Sequence, residues 1–153
     1  MILYQLVEIR KKLDELSKYE GVEFAYAVFK NKKIIDKKLE EVDFIKNVDP
    51  EVIEYENKRI EICETFSDKD DNGKPLIDKD LYVIRDRITF ENEMKKLNED
   101  YKDHLEKREQ QIKIFNDRMN ETANIDLVKV QLNDVPADFK TANDLETISF
   151  MLD

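Results

Sequence analysis

Apolar residues recur at spacings of three and four along most of this chain. From about Ile2 to Tyr19, Leu6, Ile9, Leu13 and Leu16 form one stripe, which predicts a helix. Gly21 is expected to end it, because glycine tolerates the left-handed cap that other residues resist. A second helix is expected from about Glu23 to Lys46. Its stripe is Phe24, Val28, Ile35, Leu39 and Val42, widened by Ala25, Phe29 and Ile45. Asn47-Val48-Asp49-Pro50 interrupts the pattern. Proline has no N–H to donate and disfavours helix at the residue before it, while Asp then Pro is also an N-cap followed by a first helical position. Either a new helix begins at Pro50 or a long one kinks there. The third stretch places Ile53, Ile60 and Cys63 on one side, with Val52, Tyr55, Ile62 and Phe66 beside them.

Ser67 to Lys79 is a polar break. Leu76-Ile77 and Leu81-Tyr82-Val83-Ile84 flank Asp78-Lys79-Asp80, and their β-branched and aromatic residues predict a short hairpin near 76–84. Thr89 is read as the cap of the longest helix, about Phe90 to Met119. Its stripe runs through Met94, Leu97, Tyr101, Leu105, Ile112 and Phe115, close enough to heptad spacing for coiled-coil packing. Arg108 and Gln111 sit on or near that seam and spoil a pure zipper. Beyond Asn120-Glu121-Thr122 the period changes to two. Val128, Val130 and Leu132 alternate with Lys129 and Gln131, which predicts a half-buried strand near 127–132. Thr141 then opens a last short helix, with Asp144 three residues on as in a capping box, and Leu145, Ile148, Met151 and Leu152 as its apolar face. The expected fold is mainly α. It is a helical bundle of long antiparallel helices with a small β element, forming a single compact domain over 1–153.

Composition narrows the classes. The chain has 153 residues and one cysteine, so a disulfide scaffold is excluded. Two Gly and three Pro exclude collagen-like and Gly-rich chains. The net charge of -10 argues against direct nucleic-acid binding, which needs an excess of Lys and Arg. It leaves solubility or mimicry of a polyanion. Acidic and basic residues interleave, as in Glu106-Lys107-Arg108-Glu109, which is the pattern of a solvated helix face. No run approaches the roughly 20 apolar residues of a membrane span. The opening Met1-Ile2-Leu3-Tyr4 is followed by Arg10-Lys11-Lys12, the reverse of a secretory signal, so an intracellular protein is expected.

Several patterns imitate chemistry. Asp68-Lys69-Asp70-Asp71-Asn72-Gly73 matches the first half of a calcium loop, but Pro75 and Lys79 stand where an apolar residue and a bidentate Glu are needed. A polar turn feeding the hairpin is the simpler reading. His104 is the only histidine, which excludes a di-iron bundle, and one Cys with one His cannot fill a zinc site. His104 is expected at the boundary of the long helix, partly exposed. Cys63, with no basic partner in the sequence, is expected to be a small core residue. No Gly-rich phosphate loop exists, since Gly21 and Gly73 stand alone. No catalytic, cofactor-binding or metal-ligating set is therefore assigned, and an enzyme is not expected.

The layout has a likeness. Arg59-Ile60-Glu61-Ile62-Cys63-Glu64-Thr65-Phe66 leads into the Asp68–Pro75 turn, the strand-like Leu81-Tyr82-Val83-Ile84 and the helical Phe90-Glu91-Asn92-Glu93-Met94-Lys95-Lys96-Leu97. The chain closes on Ile125-Asp126-Leu127-Val128-Lys129-Val130 and Leu145-Glu146-Thr147-Ile148-Ser149-Phe150-Met151-Leu152. In this order of elements it resembles small uncharacterised proteins of tailed bacteriophages and prophages. It departs from them at Pro50, where their second helix runs on. The resemblance implies a phage gene product, acting in the host cytoplasm or in the virion, and supplies no active site. The expected role is non-enzymatic protein–protein interaction of a structural or assembly kind. The partner would be a phage structural protein, with the long Phe90–Met119 helix as contact surface or homo-oligomer seam. The alternative is an acidic inhibitor of a host defence nuclease, of anti-CRISPR or anti-restriction type. Ile2-Leu3-Tyr4 and Phe150-Met151-Leu152 are candidates for further exposed contact surface or equally for core.

Overall fold

A computed structural model describes all 153 residues. The protein is mainly helical with one small antiparallel sheet, as expected from the sequence. Two compact units form: residues 1–44 with 114–153, and residues 45–113.

In the first unit, α1 (Leu3–Leu16) and α2 (Val22–Leu39) make an antiparallel hairpin. Leu3, Leu6, Ile9, Leu13 and Leu16 are all buried, which confirms the α1 stripe. The helix stops earlier than Gly21. Ser17 caps it, its hydroxyl donating to the Leu13 carbonyl at 2.8 Å. Gly21 instead opens α2 at φ 124°, a backbone angle that L side chains rarely adopt. α2 buries Phe24, Ala27, Val28, Asn31 and Ile35, then tightens into a 3-10 turn over Glu40–Lys46 that buries Val42. Ala25 and Phe29, expected to widen the buried stripe, are exposed. The stripe itself is buried as read at Phe24, Val28, Ile35 and Val42, and Ala27 and Asn31 flank it in place of Ala25 and Phe29.

That asparagine explains the missing strand. Residues 124–131 form no ladder. Asn31 supplies the pairing instead: its Nδ2 donates to the Val128 carbonyl at 2.9 Å, and its Oδ1 accepts from the Val128 N–H at 2.7 Å. A single parallel bridge, Val130 to Leu152, is the only backbone pairing of the segment expected as a strand near 127–132. The period-two pattern is thus a burial pattern, with a side-chain amide doing what a neighbouring strand would do. α6 (Ala142–Ile148) begins as read, with Thr141 and Asp144 in a reciprocal capping box, and Ile148 and Met151 close the core.

In the second unit, α3 (Pro50–Phe66) begins afresh at Pro50. Asp49 caps it, accepting from the Glu51 N–H at 3.2 Å. Val52, Tyr55 and Cys63 are its buried face, whereas Ile53 and Ile60, expected in the core, point outward. β1 (Ile77–Asp78) and β2 (Leu81–Tyr82) pair antiparallel, Ile77 opposite Tyr82. Lys79 and Asp80 both have positive φ, 48° and 64°, as a two-residue turn matched to strand twist requires.

The long helix is two. α4 (Arg87–Asp100) is capped by Asp86 rather than Thr89. The Asp86 carboxylate accepts from the Thr89 N–H at 3.1 Å and from its hydroxyl at 2.6 Å. α5 (Lys102–Met119) follows a break at Tyr101, φ -109° and ψ 11°. Tyr101 is drawn toward α3, its ring 5.9 Å from that of Tyr55 and its hydroxyl accepting from Lys58 Nζ at 2.7 Å. α4 lies antiparallel to α3, with Tyr55 bonded to Asn98 and Phe66 against Phe90. An unbroken heptad seam over Phe90–Met119 is therefore absent.

Candidate interaction surface

The rotation of α2 about its axis decides what the first unit displays. Two ion pairs lock it to α1: Arg10 Nε with Asp36 Oδ1 at 2.6 Å, and Lys32 Nζ with Asp14 Oδ1 at 2.6 Å. Arg10, then Lys32, hold the Asp14 carboxyl down to about 2. Asn31 fixes the opposite side against Val128. With those contacts made, Val22, Tyr26 and Phe29 must face outward, 86%, 52% and 51% exposed. Spacings of four and three put them on one stripe.

Lysines continue the stripe. Lys30 Nζ lies 5.5 Å from the centre of the Tyr26 ring, and Lys33 Nζ lies 4.7 Å from that of Phe29. Such placement over ring faces is attractive but modest, about 0.5–1 kcal/mol at exposed sites. No carboxylate comes within ion-pairing distance of Lys30, Lys33 or Lys37. α2 is the most basic helix of an acidic chain, five lysines against Glu23 and Asp36. A concavity of about 480 Å³ adjoins it, lined by Ala25, Val28, Phe29, Lys32, Lys33 and Asp36 among others. The arrangement can take an apolar side chain with a carboxylate beyond it. It offers no nucleophile or general base.

The second unit contains the one constellation that resembles a reactive site. Asp49, Glu51 and His104 bring ligand-type atoms within 4.8 Å of one another. His104 Nδ1 lies 3.0 Å from Asp49 Oδ2. Hydrogen bonds from Glu51, then from the His104 ring, hold the Asp49 carboxyl down to about 2. Two facts make this a structural tie. Asp49 already serves as the N-cap of α3, and Lys107 Nζ stands 3.9 Å from the same carboxylate, where a cation would be repelled. Arg108 and Gln111, which interrupt the apolar seam, donate to the carbonyls of Ile45 and Asn47 at 2.9 and 3.3 Å. Nothing near His104 in sequence signals Asp49; only the Asp-Pro start signal marks one end of the pair.

The calcium-like segment spends its oxygens internally. Asp68 pairs with Arg85 at 2.7 Å, and Asp70 Oδ1 accepts from the N–H groups of Asn72 and Lys74 at 2.8 and 2.9 Å. Cys63 is buried, as expected. Leu3 and Met151 lie in the core of the first unit, with Phe150 and Leu152 packed against it, so the termini are mostly core and not contact surface. No helix is long and apolar enough to cross a membrane. Comparison with protein-family models, with curated proteins and with solved structures finds no match to this chain.

Proposed function

We propose that this protein is a phage-encoded, non-enzymatic interaction protein with a structural or assembly role, and that the outer face of α2 is its contact surface. The carrying observation is the exposed Val22–Tyr26–Phe29 stripe continued by lysines without carboxylate partners. Large apolar side chains exposed together on one helix face mark a surface that gains by being covered. Their lysine border supplies the polar rim of an interface. The phage assignment rests on the resemblance in layout. The nuclease-inhibitor alternative has less support. Its best acidic stretch, Asp68 to Asp80, carries Lys69, Lys74 and Lys79, and its Asp68 is paired to Arg85.

The test is a pull-down from infected host lysate with the tagged chain and with a Tyr26→Ala/Phe29→Ala variant, each washed at high salt. Virion or assembly proteins retained through salt by the natural chain, and lost by the variant, are expected. A host nuclease released by salt, equally from both chains, would contradict the proposal, because screened charge contacts are what mimicry uses.

A further inference from the structure

Resting on that reading of α2, the structure assigns the occupant of the face: the outer face of α3 from a second copy of this chain. α3 exposes its own apolar pair one heptad apart, Ile53 and Ile60, 52% and 41% exposed. The sequence had placed both in the core. Set beside α2, the two faces correspond position by position. Val22 and Phe29 match Ile53 and Ile60, and Lys30 and Lys33 match Glu61 and Glu64.

The charges are complementary where they matter. Within the chain, Glu54 is already paired with Lys58 and Glu56 with Arg59, at 2.7 and 2.9 Å. Glu61 and Glu64 are exposed, with no cation at their carboxylates, just as Lys30 and Lys33 have no carboxylate. Each helix thus carries an exposed apolar pair followed by unpaired charges of opposite sign. Parallel alignment puts apolar on apolar and ammonium on carboxylate. Antiparallel alignment of the same segments would set Lys33 against Ile53 and Lys30 against Glu56, which Arg59 already neutralises, so the complementarity also chooses the direction.

The contact is heterologous, since α2 of one copy meets α3 of the next and each copy keeps one face free. Such contacts extend into chains or close into rings. Three helical turns a side bury less than the roughly 1,200 Å² of a stable complex, so one contact is weak and gains strength only by repetition.

Sedimentation velocity on the full chain tests this. The weight-average mass is expected to rise with concentration across roughly 10 µM to 1 mM, where a contact of this size half-saturates. Lys30→Glu/Lys33→Glu and Glu61→Lys/Glu64→Lys are each expected to stay monomeric through that range, with unchanged far-ultraviolet circular dichroism. An equal mixture of the two restores opposite charge at both contacts, Lys30 and Lys33 of one variant against Glu61 and Glu64 of the other and the two charge-reversed faces against each other, so concentration-dependent association like that of the natural chain is expected. A natural chain that stays monomeric would overturn the inference, as would variants that associate like it or a mixture that stays monomeric. If a monomeric chain still captures a different protein through Tyr26 and Phe29, the occupant is wrong while the broader proposal stands. If it instead retains a single-stranded oligonucleotide or anionic vesicles through Lys30 and Lys33, both fail.

Discussion

Asn31 is the most informative residue to change for stability. Its side chain is fully buried, at 0% exposure, and its amide closes on both backbone groups of Val128 at 2.9 and 2.7 Å. Asn31→Ala removes both hydrogen bonds, each worth about 1 kcal/mol net. It also leaves the Val128 N–H and carbonyl without partners, at about 1–3 kcal/mol for each fully buried group. Val128 is only half-buried, so water recovers part of that cost. The expected destabilisation is about 2–4 kcal/mol, a large share of the roughly 5–15 kcal/mol that holds a typical domain. The local readout is amide hydrogen exchange at Val128. A change near 3 kcal/mol corresponds to exchange faster by about 100-fold, if the amide is protected by this contact. Asn31→Asp separates the two bonds, because a carboxylate can accept from the Val128 N–H but cannot donate to the carbonyl. It is expected to be worse than Asn31→Ala at neutral pH and to improve at acid pH, where a protonated Asp regains a donor. An Asn31→Ala variant with unchanged Val128 exchange and less than about 0.5 kcal/mol lost in urea would refute the claim that this amide replaces a strand.

Other expectations follow from named contacts. The Asp14 carboxyl is lowered from 3.8 to about 2 by Arg10 and Lys32. Its stabilising effect is therefore present above about pH 4 and lost as pH falls toward 2, and Asp14→Asn should flatten the urea midpoint against pH in that window. Leu13→Ala in the core of the first unit should cost about 2–5 kcal/mol, whereas Phe29→Ala on the outer face of the same hairpin should cost under about 1 kcal/mol by chemical denaturation. Thr141→Ala, which breaks the capping box of α6, should cost about 1 kcal/mol, read as weakened protection at the Asp144 amide.

Local signals were legible because they act over a few residues. The stripe of α1, the Asp49-Pro50 break that marks either a kink or the start of α3, the hairpin near 76–84 and the Thr141/Asp144 box all rest on residues close to the backbone they shape. The flank that widens the α2 stripe, and the orientation of α3, were not legible. Each helix carries apolar residues over a wide arc, so Phe29 and Ala27, about 160° apart, or Ile53 and Val52, about 100° apart, are alternative core choices. In α2 the choice goes with Asn31, a polar residue that pattern reading assigns to solvent and whose partner, Val128, is far away in sequence. The break at Tyr101 and the His104–Asp49 contact depend likewise on α3, which no spacing within α4 or α5 encodes. What was misread as core, Phe29 with Ile53 and Ile60, became the candidate contact surface. An exposed apolar position is indistinguishable from a buried one until its helix is oriented.

The central claim, that the outer face of α2 meets protein, is tested most directly by placing a photo-cross-linking amino acid at Phe29 in the full chain and irradiating infected host cells. A matched probe at Ile88, also exposed but on α4, serves as control. The account predicts a discrete protein adduct from position 29, absent at 88 and lost when Lys30→Glu/Lys33→Glu is added. No adduct at 29, or the same adducts from both positions, would contradict it.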